Sequence, residues 1–335
     1  MKNLKTTVQA VLILILSISI FLCAVPFNAE EVATNETAVV EGDDIPDVEP
    51  ESYVASPLAG KVIYADGDSI TRGARISVAS TLGVRPTYSA LTAYRNDACV
   101  INNAISSTTM SCATLNGKEY TPYSSRIYKR YLQAPAGVDY LTLWFGWNDN
   151  HVGQYLMREQ WLKKMYGKTI YYPLDPKQIG KGKFATAFQK ESCDKAVGYI
   201  NGKRFQGADY FNRLFIGDEH STSRRTFWGA YSFVLKYLTT SPKYKNTKIG
   251  IVVPYGCTKA MRNAVRRIAR KFGVYCLDLY ADNQRLFYGK ESGFKYYTKA
   301  QIRRNRRVYL ADGTHPNRKG HRVLSYIYED WLKSM

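Results

Sequence analysis

Several motifs that mark common enzyme classes are missing from this 335-residue sequence. It has no Gly-x-Ser-x-Gly element, no Walker phosphate-binding motif and no Gly-x-Gly-x-x-Gly fingerprint, which argues against ordinary α/β-hydrolases and the common nucleotide-binding classes. Cys-x-x-Cys pairs and Cys/His groups with zinc-ligand spacing are also absent. The sequence therefore predicts neither a bound metal nor a cofactor.

Cysteine is scarce, and its count beyond the N-terminal segment is odd. The residues concerned are Cys99, Cys112, Cys193, Cys257 and Cys276. Cys99 with Cys112, and Cys257 with Cys276, are near enough in sequence to form disulfides, but spacing alone establishes no pairing. None of these cysteines lies beside a candidate base in sequence, which argues against a catalytic thiol.

The most apolar stretch, residues 11–25, falls short of the ~20 residues that a membrane-spanning helix usually needs. It follows Lys2 and Lys5 and precedes a segment, 26–29, that suits cleavage. We expect residues 1–29 to be a signal peptide, with an uncleaved N-terminal anchor as the alternative. Both interpretations place the rest of the chain outside the cytoplasm, as a secreted protein or as an anchored protein that faces outwards.

Lysine and arginine are missing from residues 30–58, which contain nine Asp and Glu. This stretch lacks helical or strand periodicity, so we expect an acidic, disordered linker. From Lys61 onward the balance reverses, with 45 Lys and Arg against 19 Asp and Glu. The ordinary globular composition, with 45% hydrophobic residues overall, predicts that residues 59–335 form a folded domain.

Short apolar segments alternate with longer helical patterns across this domain. The strand candidates are residues 61–65, 98–102, 140–145, 248–254 and 274–279. Because they are apolar throughout, we expect a parallel sheet that is covered on both faces. Helical patterns begin after Ser221 or Thr222 and also cover 258–272 and 319–332. The sequence predicts an α/β fold, a three-layer sandwich around a central parallel sheet of about five strands, with an insertion over about 150–216 after the third strand.

Polar, turn-forming groups follow the first three strands and recur near the C-terminus. They are residues 66–69, 102–107, 146–149 and 312–317. The carboxyl ends of parallel strands meet at one edge of a sheet, where reactive groups collect. Of the chain's four histidines, only His315 has a carboxylate three residues before it, that of Asp312. Together these groups supply the hydroxyl, imidazole and carboxylate that nucleophilic acyl transfer requires.

These residues resemble the SGNH hydrolases, also called GDSL-type esterases and lipases, of the secreted bacterial type. Residues 67–69 are similar to the family's Gly-Asp-Ser motif, 146–149 to its Gly-x-Asn-Asp motif, and 312–315 to its Asp-x-x-His motif. The resemblance covers most of residues 61–332 apart from the insertion. It implies a flavodoxin-like sheet and a carboxylic ester hydrolase that uses no cofactor.

The resemblance also implies a role for each matched residue. Ser69 would be the nucleophile, His315 the base, and Asp312 the carboxylate that orients the imidazole. The oxyanion hole would consist of the backbone N–H groups of Ser69 and Ser107 and the side-chain amide of Asn148.

The family's second motif, Asn-x-Gly-x-x-Gly, is altered in this chain. Aligning it on Asn102 puts Ala104 and Ser107 at the glycine positions. Serine keeps the N–H group but resists the positive φ angles that glycine adopts freely, so either the donor is retained or the loop is rebuilt without it. The carboxylates of Asp66, Asp68 and Asp149, also at strand ends, are expected to fix loops rather than to carry protons.

Positive charge is concentrated in two segments. In the first, which comprises Arg262, Arg266, Arg267, Arg270 and Lys271, the bases fall largely off the apolar face of a helix. The second precedes Asp312 and is expected near the mouth of the site, where it would bind substrate; it comprises Arg303, Arg304, Arg306 and Arg307. Such a field attracts anionic substrates, among them acylated acidic polysaccharides and wall polymers, and equally suits retention on an anionic cell surface. Nucleic acid is not an expected partner, because the chain is predicted to be exported and has an intact Ser/His/Asp set.

The sequence as a whole predicts an exported serine esterase. Its substrate would be a short acyl ester, acetyl above all, on a carbohydrate polymer, and the reaction would pass through an acyl-enzyme. Two alternatives are a lipase or phospholipase of the same family, and a glycan- or wall-binding module in which the altered second motif has impaired catalysis.

Overall fold

The computed structural model describes residues 55–79, 83–112, 114–115, 118–119, 122–151, 158, 161, 193–280 and 299–335. The predicted signal peptide lies outside these residues, as do most of the predicted linker and much of the predicted insertion. Within those ranges, every helix is too short or too polar to cross a membrane.

A five-stranded parallel sheet forms the centre of the fold. Its strands are β1 (Val62–Gly67), β2 (Cys99–Asn102), β3 (Tyr140–Trp144), β4 (Lys248–Val253) and β5 (Tyr275–Asp278). Their order is β2-β1-β3-β4-β5, with every neighbouring pair parallel. This is the strand order of flavodoxin-like doubly wound sheets. The predicted α/β architecture is confirmed, and each strand lies within two residues of its predicted bounds.

Helices accompany the sheet along the chain. They are α1 (Ser69–Arg72), α2 (Tyr88–Arg95), α3 (Gly207–Ile216), α4 (Phe227–Thr240), α5 (Lys259–Phe272), α6 (Lys299–Tyr309) and α7 (Arg318–Ser334). Short 3-10 turns occupy Arg130–Leu132 and Pro242–Tyr244. Two small antiparallel hairpins lie outside the central sheet, Thr114–Leu115 with Lys118–Glu119 and Val197–Ile200 with Lys203–Gln206.

The sheet separates two hydrophobic layers. Helices α4 and α5 pack on one face and α2 and α7 on the other. Successive side chains of a strand point to opposite faces, so Ile251 of β4 belongs to the first layer and Val252 to the second. This burial on both faces explains why β1, β3 and β4 are mainly apolar, whereas the edge strands β2 and β5 are only partly buried.

The ends of α5 follow the expected rules for helix capping. The side chain of Thr258 accepts a hydrogen bond from the N–H of Met261, and Gly273 ends the helix at φ 61°. The predicted start of α4 at Ser221 or Thr222 is wrong, because the helix is capped by Thr226. The Ser221 hydroxyl instead exchanges hydrogen bonds with Asp218, which holds the preceding residues in a turn.

Within the described residues, no disulfide joins any of the five cysteines that follow the N-terminal segment. Neither of the two pairings that the spacing permits is formed. Burial raises the pKa of Cys276 to about 12 and that of Cys257 well above the usual value. Both thiols are therefore protonated at neutral pH, which agrees with the expectation that they are not nucleophiles.

Candidate active site

Ser69 is the first residue of α1 and follows β1 directly at the carboxyl edge of the sheet. The Asp68 side chain caps this helix by accepting a hydrogen bond of 2.9 Å from the N–H of Ile70. Position 67, at the end of β1, requires glycine, because a Cβ atom there would lie 2.8 Å from the carbonyl oxygen of Trp144. Close packing between β1 and β3 therefore fixes where the serine emerges.

The histidine loop, residues 312–317, connects α6 to α7. Its first residue, Asp312, accepts hydrogen bonds through Oδ1 from the N–H groups of Thr314 and His315, at 3.1 and 2.9 Å. Partial burial favours the protonated form of Asp312, but the hydrogen bonds from His315 outweigh it and lower the pKa to about 2. The carboxylate is therefore held in place by the backbone and remains ionised at any ordinary pH.

The structure brings Ser69, His315 and Asp312 into one hydrogen-bonded row. Nε2 of His315 lies 2.8 Å from Oγ of Ser69, across 246 positions of sequence. Nδ1 of the same ring lies 2.8 Å from Oδ2 of Asp312. A carboxylate accepts but cannot donate, so Nδ1 carries the proton and Nε2 of the neutral imidazole is the acceptor for the serine hydroxyl. This arrangement can activate the hydroxyl as a nucleophile.

Ser107 lies in the second-motif loop (residues 103–108) that follows β2. Its φ is 65°, the left-handed conformation that glycine adopts freely. The loop thus keeps the backbone shape of a glycine although the residue is serine. This is the backbone conformation that a retained donor requires, and the donor role of the Ser107 N–H stays a prediction.

Asn148 lies in the helical segment 147–151 that follows β3. Its Nδ2 donates to the carbonyl oxygen of Thr108 at 2.9 Å and lies 3.4 Å from Oδ2 of Asp68. The first bond ties the amide to the residue after Ser107. The second contact is long and weak, so one N–H of the amide is available to a stronger acceptor.

A buried ion pair fixes the second-motif loop from behind. Arg130 lies 2.5 Å from Asp66, and the two side chains are 3% and 0% exposed. The same guanidinium donates to the carbonyl oxygen of Asn103 and to Oγ1 of Thr108, each at 2.8 Å. Burial raises the pKa of Asp66 to about 6, although the charge of Arg130 acts in the opposite direction. Both ends of the loop are therefore held by Arg130, which no sequence motif marks.

Asp149 joins the segment just beyond this loop to the helical segment that follows β3. Its carboxylate accepts from the N–H groups of Met110 and Ser111, at 2.8 and 2.9 Å, and from the Ser111 hydroxyl at 2.6 Å. Burial raises its pKa to about 6, although these hydrogen bonds act in the opposite direction. The contacts of Asp66, Asp68 and Asp149 are those of carboxylates that fix loops, as expected from their positions.

The predicted substrate-binding arginines lie on α6, which leads directly into the histidine loop. Arg303, Arg304 and Arg307 are exposed, whereas Arg306 is half-buried. Nη2 of Arg306 lies 3.8 Å from the point that a Cβ on Gly313 would occupy, so its guanidinium borders the loop.

Several basic side chains of α5 are less available to bind an anionic partner than the sequence suggests. Arg262 is buried rather than exposed and donates to the carbonyl oxygen of Cys257. Arg266 and Arg267 form ion pairs of 2.6 Å with Asp278 and Glu219. The expectation that these bases lie off the apolar face is therefore wrong for Arg262, because its long side chain reaches back to the helix start.

No family model matches the sequence, and no curated protein matches it either. Solved structures with a similar backbone include a protein from Lactobacillus plantarum, with 18% identity over 82% of this chain and 98% of that chain and a TM-score of 0.49. A GDSL-like lipase candidate from Bacteroides ovatus has 13% identity over 83% of this chain and 100% of its own, with a TM-score of 0.45. An aryl esterase from M. smegmatis has 13% identity over 82% and 99%, with a TM-score of 0.42. The resemblance stated from the sequence is confirmed at the level of the fold, because the strand order is that of the flavodoxin-like sheet it implies.

Proposed function

We propose that this chain is an exported serine esterase of the SGNH type that hydrolyses short acyl esters, acetyl above all, on a carbohydrate polymer. The observation that carries the proposal is the 2.8 Å contact between Oγ of Ser69 and Nε2 of His315. The hydrogen bond from that imidazole to Asp312 completes the arrangement that nucleophilic acyl transfer requires.

Each step of the reaction has a residue for it. Ser69 attacks the ester carbonyl while Nε2 of His315 takes its proton, and the carbonyl oxygen becomes an oxyanion. The N–H groups of Ser69 and Ser107 and the amide of Asn148 donate to that oxyanion. The imidazolium returns the proton to the departing alcohol, which leaves an acyl-enzyme. Water then attacks the acyl group with the same base, releasing the carboxylic acid and free Ser69.

Two features of the site support these roles. The amide of Asn148 is neutral, so it stabilises the oxyanion without forming an ion pair with the carboxylate product. The low pKa of Asp312, about 2, keeps its carboxylate ionised so that it can stabilise the imidazolium at any working pH.

The export and the carbohydrate substrate rest on the sequence. The signal-like segment 1–29 supports a location outside the cytoplasm. The excess of Lys and Arg from Lys61 onward suits polysaccharides that carry negative charge.

Rates on a chain-length series of 4-nitrophenyl esters test the proposal, together with acetate release from acetylated glycans. We expect the acetate ester to react fastest and acetylated glycans to release acetate. Ser69→Ala should lower turnover by a factor on the order of 10⁴ or more, since the nucleophile is lost, with an unchanged circular dichroism spectrum. Ser334→Ala, a serine at the end of α7, serves as the matched control and should leave turnover unchanged.

The other outcomes separate the alternatives. Preference for long acyl chains would indicate a lipase. A folded protein that binds glycans but cleaves no ester would indicate a binding module. Undiminished turnover in Ser69→Ala would refute the assignment of the nucleophile.

A further inference from the structure

Arg75 lies in the turn after α1, beside the histidine loop. Its Nε donates to Oδ2 of Asp312 at 3.1 Å, the same oxygen that accepts from Nδ1 of His315. The Arg75 side chain is 64% exposed. A positive charge is therefore placed at the surface, in contact with the carboxylate of the Ser69–His315–Asp312 row.

The backbone of Arg75 is in an unfavourable conformation. Its φ is 75°, in the left-handed region, which costs a residue other than glycine roughly 1–2 kcal/mol. The turn is fixed on either side by Gly73 at φ 74° and by the buried side chain of Ile76. The fold thus projects Arg75 toward Asp312 at a cost in stability.

Arg75 does not assist the proposed proton transfer. A cation beside Asp312 weakens the stabilisation that this carboxylate gives to an imidazolium at His315. The carboxylate does not need Arg75 for its orientation, because Oδ1 is already held by the N–H groups of Thr314 and His315. The position of the guanidinium is explained better by binding than by catalysis.

The guanidinium of Arg75 still has donors to offer. Only Nε is used in the contact with Asp312, and among the described residues Nη1 and Nη2 form no hydrogen bond. A guanidinium presents such a pair of N–H groups as a planar fork that fits a carboxylate through two parallel bonds.

Two further arginines border the same region. Arg306 approaches the histidine loop at Gly313, as described above. Arg318, at the start of α7, donates to Oγ of Ser77 at 3.1 Å and so ties the turn that contains Arg75 to the end of the histidine loop. Arg306 and Arg318 therefore lie beside the histidine loop, as Arg75 does.

We propose that Arg75, together with Arg306, forms an anion-binding subsite at the mouth of the active site, and that the carbohydrate that carries the ester also carries carboxylate groups. This inference rests on the proposed esterase function and narrows its substrate class to acylated acidic polysaccharides. Arg75 binds a carboxylate near the esterified position and positions the ester carbonyl over Ser69.

The test compares one polymer in two charge states. Acetylated polygalacturonate is used with its carboxylates free and after their conversion to methyl esters, and acetate release is measured. For the full chain, we expect kcat/KM to be about tenfold higher on the charged form, the size of one charge-assisted hydrogen bond. High salt should reduce this advantage.

Variants of Arg75 assign the advantage to its side chain. Arg75→Gln should lose about tenfold more in kcat/KM on the charged polymer than on the methylated polymer or on 4-nitrophenyl acetate. Arg75→Lys keeps the positive charge but lacks the planar pair of N–H groups, so it should lose less kcat/KM on the charged polymer. Lys236→Gln removes an equal charge from the exposed side of α4 and should leave kcat/KM unchanged on both polymers.

The outcomes separate this inference from the proposed function. Equal losses of kcat/KM on both polymers in Arg75→Gln would show that Arg75 only supports Asp312, and would overturn the inference. The absence of any advantage for the charged polymer would also overturn it. Failure to cleave the neutral ester would instead refute the esterase. Binding of unacetylated polygalacturonate to the Ser69→Ala protein gives a readout free of turnover, and it should weaken about tenfold when Arg75→Gln is added.

Discussion

At the scale of single residues, Ser107 shows that a loop can keep a glycine conformation without glycine. Its φ of 65° is unfavourable for serine. The neighbouring Thr108 compensates, because its side chain accepts from Arg130 and its carbonyl oxygen accepts from Asn148. The proposed role of the Ser107 N–H in the oxyanion hole depends on this conformation.

Substitutions at Ser107 test whether its backbone conformation is what matters. Ser107→Gly should keep the turnover of 4-nitrophenyl acetate and raise the free energy of unfolding by up to about 1 kcal/mol, since the strain is relieved. Ser107→Val should lower kcat by about tenfold or more, because a β-branched residue resists positive φ and displaces the donor. Rates and urea unfolding measure both effects. A glycine variant as impaired as the valine variant would show that the serine hydroxyl is needed.

At the scale of elements, two loops of the site are fixed by side chains from elsewhere in the sequence. Arg130 belongs to a 3-10 turn between β2 and β3, yet it binds both ends of the second-motif loop. Asp149 binds the segment beyond that loop from the turn after β3. The proposed oxyanion donors are thus positioned by contacts between elements rather than within one loop.

Arg130→Met tests this positioning. Loss of the guanidinium should lower kcat for 4-nitrophenyl acetate by about tenfold, because the proposed oxyanion donors shift. KM should stay nearly unchanged, because binding of a small ester does not depend on these donors. The free energy of unfolding should fall by about 3 kcal/mol, since Asp66 loses its buried partner. Arg130→Lys should restore part of kcat.

The control for this substitution is Arg126→Met, an exposed arginine in the same segment, which should change neither quantity by much. A variant at Arg130 that loses stability but keeps the full kcat would show that the ion pair supports the fold alone.

The elements that the sequence predicts well are those governed by local rules. Burial on both faces makes β1, β3 and β4 mainly apolar, and Thr258 and Gly273 mark the ends of α5. The start of α4 is mispredicted because Ser221 prefers a hydrogen bond with Asp218 over capping a helix. Side-chain partners that are distant in sequence leave no local pattern, so the contact between Arg130 and Asp66, 64 positions apart, is not predictable.

The residues of the candidate site likewise divide into those that local motifs predict and those that depend on distant contacts. Ser69 is predictable because its motif follows a strand of a parallel sheet, where reactive groups collect at the carboxyl edge. Asp312 and His315 are predictable from the short Asp-x-x-His motif, although their loop connects two helices. The conformation of Ser107 is not predictable from the sequence, because serine at that position is compatible with two loop structures. The contact of Arg75 with Asp312 depends on a tight turn with positive φ, which the sequence does not mark beyond Gly73.

At the scale of the whole molecule, several ionisable groups are buried, and their effects on stability oppose one another. His321 of α7 is fully buried and accepts a hydrogen bond from the N–H of Tyr88 through Nδ1 at 3.2 Å. Burial, together with the charge of His315, lowers the pKa of His321 to about 3. Burial raises the pKa of Asp66, Asp68 and Asp149 to about 6, 7 and 6.

The histidine should make the fold sensitive to acid. Between the unfolded pKa of 6.5 and the native value of about 3, the unfolded state binds a proton that the native state does not. The stability that neutral His321 provides is complete above pH 6.5 and is lost as the pH falls toward 3, at up to about 1.4 kcal/mol per pH unit. His321→Asn, whose amide oxygen can replace Nδ1 as acceptor, should remove this part of the slope.

Urea unfolding at pH 7, 6 and 5 measures the effect as the difference between the two proteins. The comparison is needed because the three aspartates act in the opposite direction. Their native pKa values lie above the unfolded value of 3.8, so they lower stability as the pH rises from about 4 to 7 in both proteins. Equal slopes in the two proteins would mean that His321 does not titrate differently on folding.

Covalent labelling of Ser69 tests the central claim most directly. A serine oxygen that a neighbouring base has activated attacks the phosphorus of a fluorophosphonate and displaces fluoride, while the base takes the hydroxyl proton. The reagent therefore reports the proposed function of the Ser69–His315 contact without any assumption about the substrate. We predict one adduct by intact mass, located at Ser69 by peptide mapping, and a labelling rate that falls by a factor of about 10³ or more in His315→Asn. A folded protein that forms no adduct, or that is labelled at another serine while Ser69 stays unmodified, would contradict the account.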